Sequence, residues 1–81
     1  MKIPRDLSGD ELAKKLKDFG YEVTRQTGSH MRLTSKIKGK EHNVTMPRHR
    51  NLKIGTISGI LSDIADYLEI KKEELVRRLF L

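Results

Sequence analysis

The chain has 81 residues and no cysteine, with 36% hydrophobic residues, 35% charged residues and a formal net charge of +6. This length predicts a single domain over residues 1–81 with one modest core, and no apolar run is long enough to cross a bilayer. Without cysteine the chain has neither a disulfide framework nor a thiolate zinc site. Because the first residues lack the apolar core of a signal peptide, we expect a cytoplasmic protein.

The first predicted element is a helix over residues 9–19. Ser8 and Glu11 have the spacing of a capping box, in which each side chain satisfies a backbone N–H at the start of the helix. Apolar residues then recur at helical spacing on one face of the segment. Gly20 follows as a C-terminal cap, because glycine tolerates the left-handed conformation in which many helices end.

Three strands are predicted next, because apolar and polar residues alternate along each of them. They span Tyr21–Gln26, His30–Ser35 and Glu41–Met46. Turns that contain Gly28 and Gly39 connect them. The three strands therefore predict an antiparallel meander with one apolar face and one polar face.

Two helices complete the predicted fold. Pro47 ends the third strand, and a basic loop over residues 48–53 follows. Apolar residues then recur at helical spacing from Ile57 to Leu68, although two glycines leave the start of this helix undefined. A last short helix is predicted over residues 71–80. The predicted class is α+β, in the order α-β-β-β-α-α, with helices packed on one face of a three-stranded antiparallel sheet.

The positive charge is concentrated in the middle of the chain. Residues 25–53 include eight basic residues and one acidic residue, a net charge of +7, whereas the rest of the chain has nine basic and ten acidic residues, a net charge of −1. Basic patches attract polyanions, and nucleic acid is the commonest polyanion in a cell. The alternative is that the charge only keeps the protein in solution.

The alternation of the second strand predicts the direction of His30. If Met31 and Leu33 face the helices, then His30, Arg32 and Thr34 face away from them. From the neighbouring strands, the same face is predicted to carry Thr24, Gln26, Asn43 and Thr45. This surface combines a cation with a side chain that titrates near neutral pH. It suits a phosphate backbone, and its histidine has the chemistry to move a proton.

Several segments, in order along the chain, resemble the HicA toxins of bacterial and archaeal toxin–antitoxin pairs. Residues 25–30, RQTGSH, are similar to the R-Q-x-G-S-H signature of that family. Residues 44–49, VTMPRH, are similar to its V-x-x-P-x-H pattern, and residues 52–61, LKIGTISGIL, to its L-x-x-G-T-L-x-x-I-L pattern. The glycine that ends the first helix, followed by an aromatic strand (residues 20–23, GYEV), extends the resemblance over nearly the whole chain.

The resemblance implies a fold like the double-stranded-RNA-binding domain and a ribonuclease that cuts messenger RNA. It implies that the histidine of the G-S-H motif, His30, is the catalytic residue. It also implies a HicB-type antitoxin, which covers the active face of a toxin that is monomeric when alone. The residues expected to contact RNA are Arg25, Ser29, Arg32, Lys36, Lys38, Lys40, Arg48, His49, Arg50 and Lys53.

Metal-free RNA cleavage needs a base, an acid and a cation. His30 suits the first role and Arg32 the last, whereas His49 is open between the acid role and a phosphate contact. The histidines show no metal-ligand spacing and the glycines no phosphate-binding-loop pattern, so no metal or other cofactor is expected. The alternative function is a non-catalytic RNA-binding module of the same fold, for which His30 is dispensable.

Overall fold

The computed structural model describes residues 2–81 as a three-stranded antiparallel sheet with helices on one side. In chain order the elements are α1 (Gly9–Leu16, continued by a 3₁₀ turn, Lys17–Phe19), β1 (Glu22–Thr27), β2 (His30–Ser35), β3 (His42–Pro47), α2 (Ile54–Leu68) and α3 (Lys72–Phe80). This confirms the predicted α+β order. None of the helices in residues 2–81 is long and apolar enough to span a membrane.

Helix α1 begins and ends where the sequence predicts, because both of its ends are capped. The Ser8 hydroxyl accepts a hydrogen bond from the Glu11 backbone N–H at 3.0 Å, and the Glu11 carboxylate accepts one from the Ser8 N–H at 3.1 Å. After the 3₁₀ turn, Gly20 adopts the left-handed conformation with φ 84°. The chain therefore reverses there and enters β1.

The core lies between the helices and one face of the sheet. Buried and exposed residues alternate along β2 and β3, so that Met31 and Val44 are among the side chains that face the helices. The side chains of the core with no exposed surface are Leu12, Leu16, Tyr21, Leu33, Met46, Ile57, Leu61, Ile64 and Leu75. Burial of each large apolar side chain stabilises the fold by about 1.5–3 kcal/mol and so holds the helices on the sheet. The opposite face of the sheet is left uncovered.

Strand β1 contains a β-bulge. Val23 pairs with Leu33 of β2, and the next pair is Arg25 with Arg32, which leaves Thr24 as the extra residue. A bulge inserts one residue into one of two paired strands. Because side chains alternate between the two faces of a sheet, every residue of β1 beyond the bulge lies on the face opposite to the one that simple alternation predicts.

The bulge changes which side chains share a face with His30. Gln26 pairs with Met31, whose side chain is buried against the helices. The prediction that Gln26 lies on the polar face is therefore wrong, and the bulge is the physical reason. Arg25 lies opposite an open-face residue of β2, and Thr27 pairs with His30. Both of these side chains consequently lie on the open face of the sheet.

A polar cluster on the helix side joins the sheet to α2. The Tyr21 hydroxyl lies 2.6 Å from Nδ1 of His42, and Nε2 of His42 lies 3.1 Å from the Asp63 carboxylate. Because a carboxylate only accepts, Nε2 carries the hydrogen, and in the neutral ring Nδ1 accepts from Tyr21. The His42 ring stacks on Tyr67 with ring centroids 4.6 Å apart. Burial, with smaller contributions from Tyr67 and Asp63, raises the pKa of the Tyr21 phenol above its ordinary value. Tyr21 is thus held neutral, as a hydrogen-bond donor.

Candidate active site

The open face of the sheet is organised in rows, because paired residues of the three strands lie side by side. Successive rows are two residues apart along β2 and β3, or about 7 Å, whereas the bulge makes Glu22 and Arg25 of β1 three residues apart. They are the histidine row (Thr27, His30, Pro47), the arginine row (Arg25, Arg32, Thr45) and the threonine row (Glu22, Thr34, Asn43). The predicted orientation of the polar side chains of β2 is confirmed.

His30 is exposed and lies in a shallow cleft with Arg25, Thr27, Arg32 and Thr45. Within residues 2–81, neither arginine has a carboxylate at ion-pair distance. Both guanidinium groups are therefore open to an anion, and a guanidinium can hold two phosphate oxygens through parallel N–H groups. The cleft combines two phosphate-binding cations with a side chain that can transfer a proton.

A tight turn fixes His30 at the end of this cleft. Gly28 and Ser29 are the two central residues between β1 and β2, and Gly28 has φ 58°, which suits the first central position of a type II′ turn. The pair Thr27 and His30 follows directly from this turn. Sequence reasoning ended the strand at Gln26 and missed Thr27. The two-residue Gly-Ser turn is the signal that would have extended the strand.

The basic loop after β3 is tied to this turn and to α1. The Arg48 backbone N–H donates to the Ser29 carbonyl at 2.6 Å, and the Gly9 N–H donates to the His49 carbonyl at 2.9 Å. The Arg48 guanidinium pairs with Asp10, with Nε 2.9 Å and 3.2 Å from the two carboxylate oxygens. Arg48 therefore helps to hold the loop in place, whereas the side chain of His49 is exposed.

The residues predicted to contact RNA form two groups. At the His30 end of the sheet, or in the loop that leaves it, are Arg25, Ser29, Arg32, Arg48, His49, Arg50 and Lys53. The other group, Lys36, Lys38 and Lys40, lies in the turn between β2 and β3, about 20 Å along the strand direction from His30. Lys38 pairs with Glu69 at 3.0 Å. The structure thus brings Arg25 and Arg32 together at the cleft. Arg48, His49 and Arg50 line a separate hollow beside the start of α1, and the lysines of the second group lie at the far end of the sheet.

The three histidines of the chain have different surroundings. His42 is half-buried and hydrogen-bonded to Tyr21 and Asp63, which gives it a structural role. His30 and His49 are exposed. Within residues 2–81, no three histidine, aspartate or glutamate side chains are grouped so that they could hold a metal ion. His30 is therefore the histidine that the open sheet face presents to a ligand.

The half-covered sheet, with an exposed histidine next to a pair of arginines, defines a small α+β protein with a basic cleft on its open face. A sequence model of the family described as "HicA toxin of bacterial toxin-antitoxin" matches residues 9–65, which is more than half of the chain. The chain belongs to this family, and it is the toxin of a toxin–antitoxin system with an antitoxin as its partner. Neither the curated proteins nor the solved structures include a match.

Proposed function

We propose that this HicA-family toxin is a metal-independent endoribonuclease that cleaves messenger RNA, with His30 as its catalytic residue. The observation that supports the proposal is the position of His30 in the cleft beside Arg25 and Arg32, on a face that no helix covers. A phosphate held by the two guanidinium groups would lie against the imidazole. A histidine that is only a solvated surface residue would not need two arginines beside it.

In the proposed reaction, the 2′-hydroxyl of the RNA is the nucleophile. His30 removes the 2′ proton, and the 2′ oxygen attacks the adjacent phosphorus. The bond from phosphorus to the 5′ oxygen then breaks, and that oxygen takes a proton from solvent water, which leaves a 2′,3′-cyclic phosphate and a 5′-hydroxyl. A positioned base contributes about 10²- to 10⁴-fold to the rate. Because DNA has no 2′-hydroxyl, it is not a substrate.

The cations of the cleft stabilise the negative charge that develops on the phosphoryl oxygens. Arg25 and Arg32 are the groups nearest to His30 for this role, and such preorganised donors contribute on the order of 10²-fold. His49 and Arg50 lie in the loop after β3, beside the start of α1, where they contact phosphates farther along the RNA. The lysines of the distant turn add only long-range attraction for the polymer.

The same face is the surface that an antitoxin has to block. We expect a HicB-type antitoxin to cover the cleft of a toxin that is monomeric when alone in the cytoplasm. The uncovered polar face and the excess of basic residues favour a partner that presents acidic groups there. Inhibition would then follow from simple exclusion of RNA.

The test compares RNA cleavage by the wild-type protein and by His30→Ala in the presence of EDTA, with DNA of the same sequence as a control. We expect the wild-type protein to cut the RNA and leave the DNA intact. The rate of RNA cleavage by the variant should be at least about 100-fold lower. Since position 30 is exposed, thermal unfolding should change little. His49→Ala, made alongside, should bind RNA more weakly but still cut it.

Three other results would change the proposal. Equal cutting by the wild-type protein and His30→Ala would remove His30 from the mechanism. RNA binding without cutting by either protein would favour the non-catalytic RNA-binding module. Products without a 2′,3′-cyclic phosphate would contradict the 2′-hydroxyl as nucleophile.

A further inference from the structure

A continuous chain of side-chain hydrogen bonds crosses the threonine row from β1 to β3. Thr24 Oγ1 lies 2.7 Å from Thr34 Oγ1, which donates to Asn43 Oδ1 at 2.5 Å. Asn43 Nδ2 then donates to the Glu41 carboxylate at 3.1 Å. The chain of bonds lies at the surface of the open face and joins all three strands, although nothing in the cleavage mechanism uses it.

The hydrogens of this chain of bonds all point in one direction. A carboxylate only accepts hydrogen bonds, so the amide nitrogen of Asn43 has to face Glu41 and the amide oxygen has to face Thr34. The hydroxyl of Thr34 donates its only hydrogen to that oxygen. Thr24 therefore supplies the hydrogen between the two threonines, and it shares that hydrogen with the Arg32 carbonyl, which lies 3.4 Å from its Oγ1. The orientation of the Asn43 amide is thus fixed before any ligand arrives.

The internal bonds leave a definite set of groups for a ligand. Asn43 keeps its second N–H and a free lone pair on Oδ1. Glu41 keeps one carboxylate oxygen, and Glu22 adds a second carboxylate, because it pairs with Thr34 in the same row. Apart from the single N–H of Asn43, all of these groups accept hydrogen bonds. A ligand that donates several hydrogens is therefore favoured here.

The position of these groups relative to the cleft suits a nucleotide. The threonine row is one row from Arg32 and two rows from His30, or about 7 Å and 13 Å along β2. The charge changes from positive to negative along the same direction. A backbone phosphate is therefore attracted to the arginine row and repelled from the threonine row, whereas an uncharged base on that phosphate can extend over Asn43.

We propose that Asn43 and Glu41, with Glu22 across β2, form a nucleobase subsite that prefers bases with an amino group to uracil; this rests on the ribonuclease function proposed above. The amide of Asn43 pairs with a donor and an acceptor on the edge of a base. The amide oxygen faces Thr34, so an amino group that pairs with it directs its second hydrogen toward the Glu22 side, whereas Glu41 holds the amide nitrogen in place. Uracil places a carbonyl oxygen there, and two acceptors face each other without a hydrogen between them.

The test measures cleavage of short homo-oligomers of adenylate, cytidylate and uridylate. We expect wild-type kcat/KM to be about five- to tenfold higher for adenylate and cytidylate than for uridylate. In Asn43→Leu and in Glu41→Gln this ratio should fall toward one. Gln26→Leu is the matched control, since it removes an amide from the opposite face of the same sheet, and it should keep the wild-type ratio. Comparing ratios between variants cancels the intrinsic reactivity of each oligomer.

The outcomes separate the subsite from the ribonuclease. Cleavage of all three oligomers at equal rates, or a ratio unchanged in Asn43→Leu, would overturn the subsite while the ribonuclease function stands. If the wild-type protein cuts none of them, the ribonuclease function fails. The subsite is then tested separately, by measuring how tightly the protein binds the same oligomers. A binding preference that Asn43→Leu abolishes would then support it, and equal affinities would overturn it.

Discussion

At the scale of single residues, Tyr21 gives the fold an alkaline limit. Its phenol is fully buried and donates to His42, and burial raises its pKa above the ordinary value near 10. The unfolded chain therefore loses this proton at a lower pH than the folded protein does. The stability that neutral Tyr21 contributes is complete below about pH 10. Above it, the free energy of unfolding falls by up to about 1.4 kcal/mol per pH unit.

The measurement is the free energy of unfolding in urea over a range of pH values, for the wild-type protein and Tyr21→Phe. Near neutral pH, the variant should be less stable by about 1–2 kcal/mol, because His42 loses its hydrogen-bond donor. Above about pH 10 the difference should shrink, since only the wild-type protein carries the phenol that ionises on unfolding. The two proteins differ only at position 21, so the difference between them reports on that side chain. A difference that does not change with pH would contradict the raised pKa.

Gly9 is needed for the close approach of α1 to the end of β3. A methyl group at Gly9 would press on the Pro47 carbonyl and lie 3.1 Å from Cα of Arg48. We expect Gly9→Ala to destabilise the protein by about 1–3 kcal/mol, as overpacking does. Gly59→Ala is the matched control: it lies inside α2 with no atom within 4 Å of the added methyl group. It should stabilise by up to about 1 kcal/mol. Thermal unfolding of the two variants should therefore shift in opposite directions.

At the scale of elements, the bulge in β1 determines which side chains line the cleft. Deleting Thr24 removes the extra residue but keeps Arg25 opposite Arg32. Deleting Gln26 also removes the bulge. If Thr27 still pairs with His30, Thr24 then lies opposite Arg32 in the arginine row, and the side chain of Arg25 faces the helices. We expect the first deletion to keep RNA cleavage. The second should lose about 10- to 100-fold in kcat/KM, the effect of one charge-assisted contact. Equal activity of the two would exclude Arg25 from the site.

Much of the fold follows from local patterns that the structure confirms. The capping box and Gly20 define the ends of the first helix, and alternation gives the correct faces of β2 and β3. The start of α2 was undefined because a glycine costs about 1 kcal/mol in a helix. The helix nevertheless begins at Ile54, since burial of Ile57 and Leu61 in the core outweighs that cost.

The features that the sequence did not predict depend on partners far away in the chain. The bulge is defined by the pairing of β1 with β2, and the polar residues of β1 are compatible with either register. His42 similarly finds Asp63, 21 residues away, only when α2 packs on the sheet. Sequence reasoning therefore identified His30 and Arg32 on the open face but misplaced Gln26 and missed Thr27. Pairing register, rather than residue type, accounts for both errors.

At the scale of the whole molecule, the net charge of +6 overstates the cations that are open to RNA. Arg48 is paired with Asp10, and Lys38 with Glu69. Lys17 and other cations lie on the helix side, away from the cleft. If binding depends on contacts in the cleft, then two variants with the same net charge should differ in their salt dependence. If binding depends only on net charge, the two variants should have the same salt dependence.

The salt dependence of RNA binding decides between these two possibilities. Arg32→Gln and Lys17→Gln each remove one positive charge, and both are made in a His30→Ala background so that the RNA stays intact. Each phosphate contact on a single strand contributes about 0.7 to the slope of log K against log salt concentration. We expect Arg32→Gln to reduce the slope by about this amount, because one counterion fewer is released. Lys17→Gln should leave it nearly unchanged. Equal reductions would mean that RNA responds to the total charge and does not bind in the cleft beside His30.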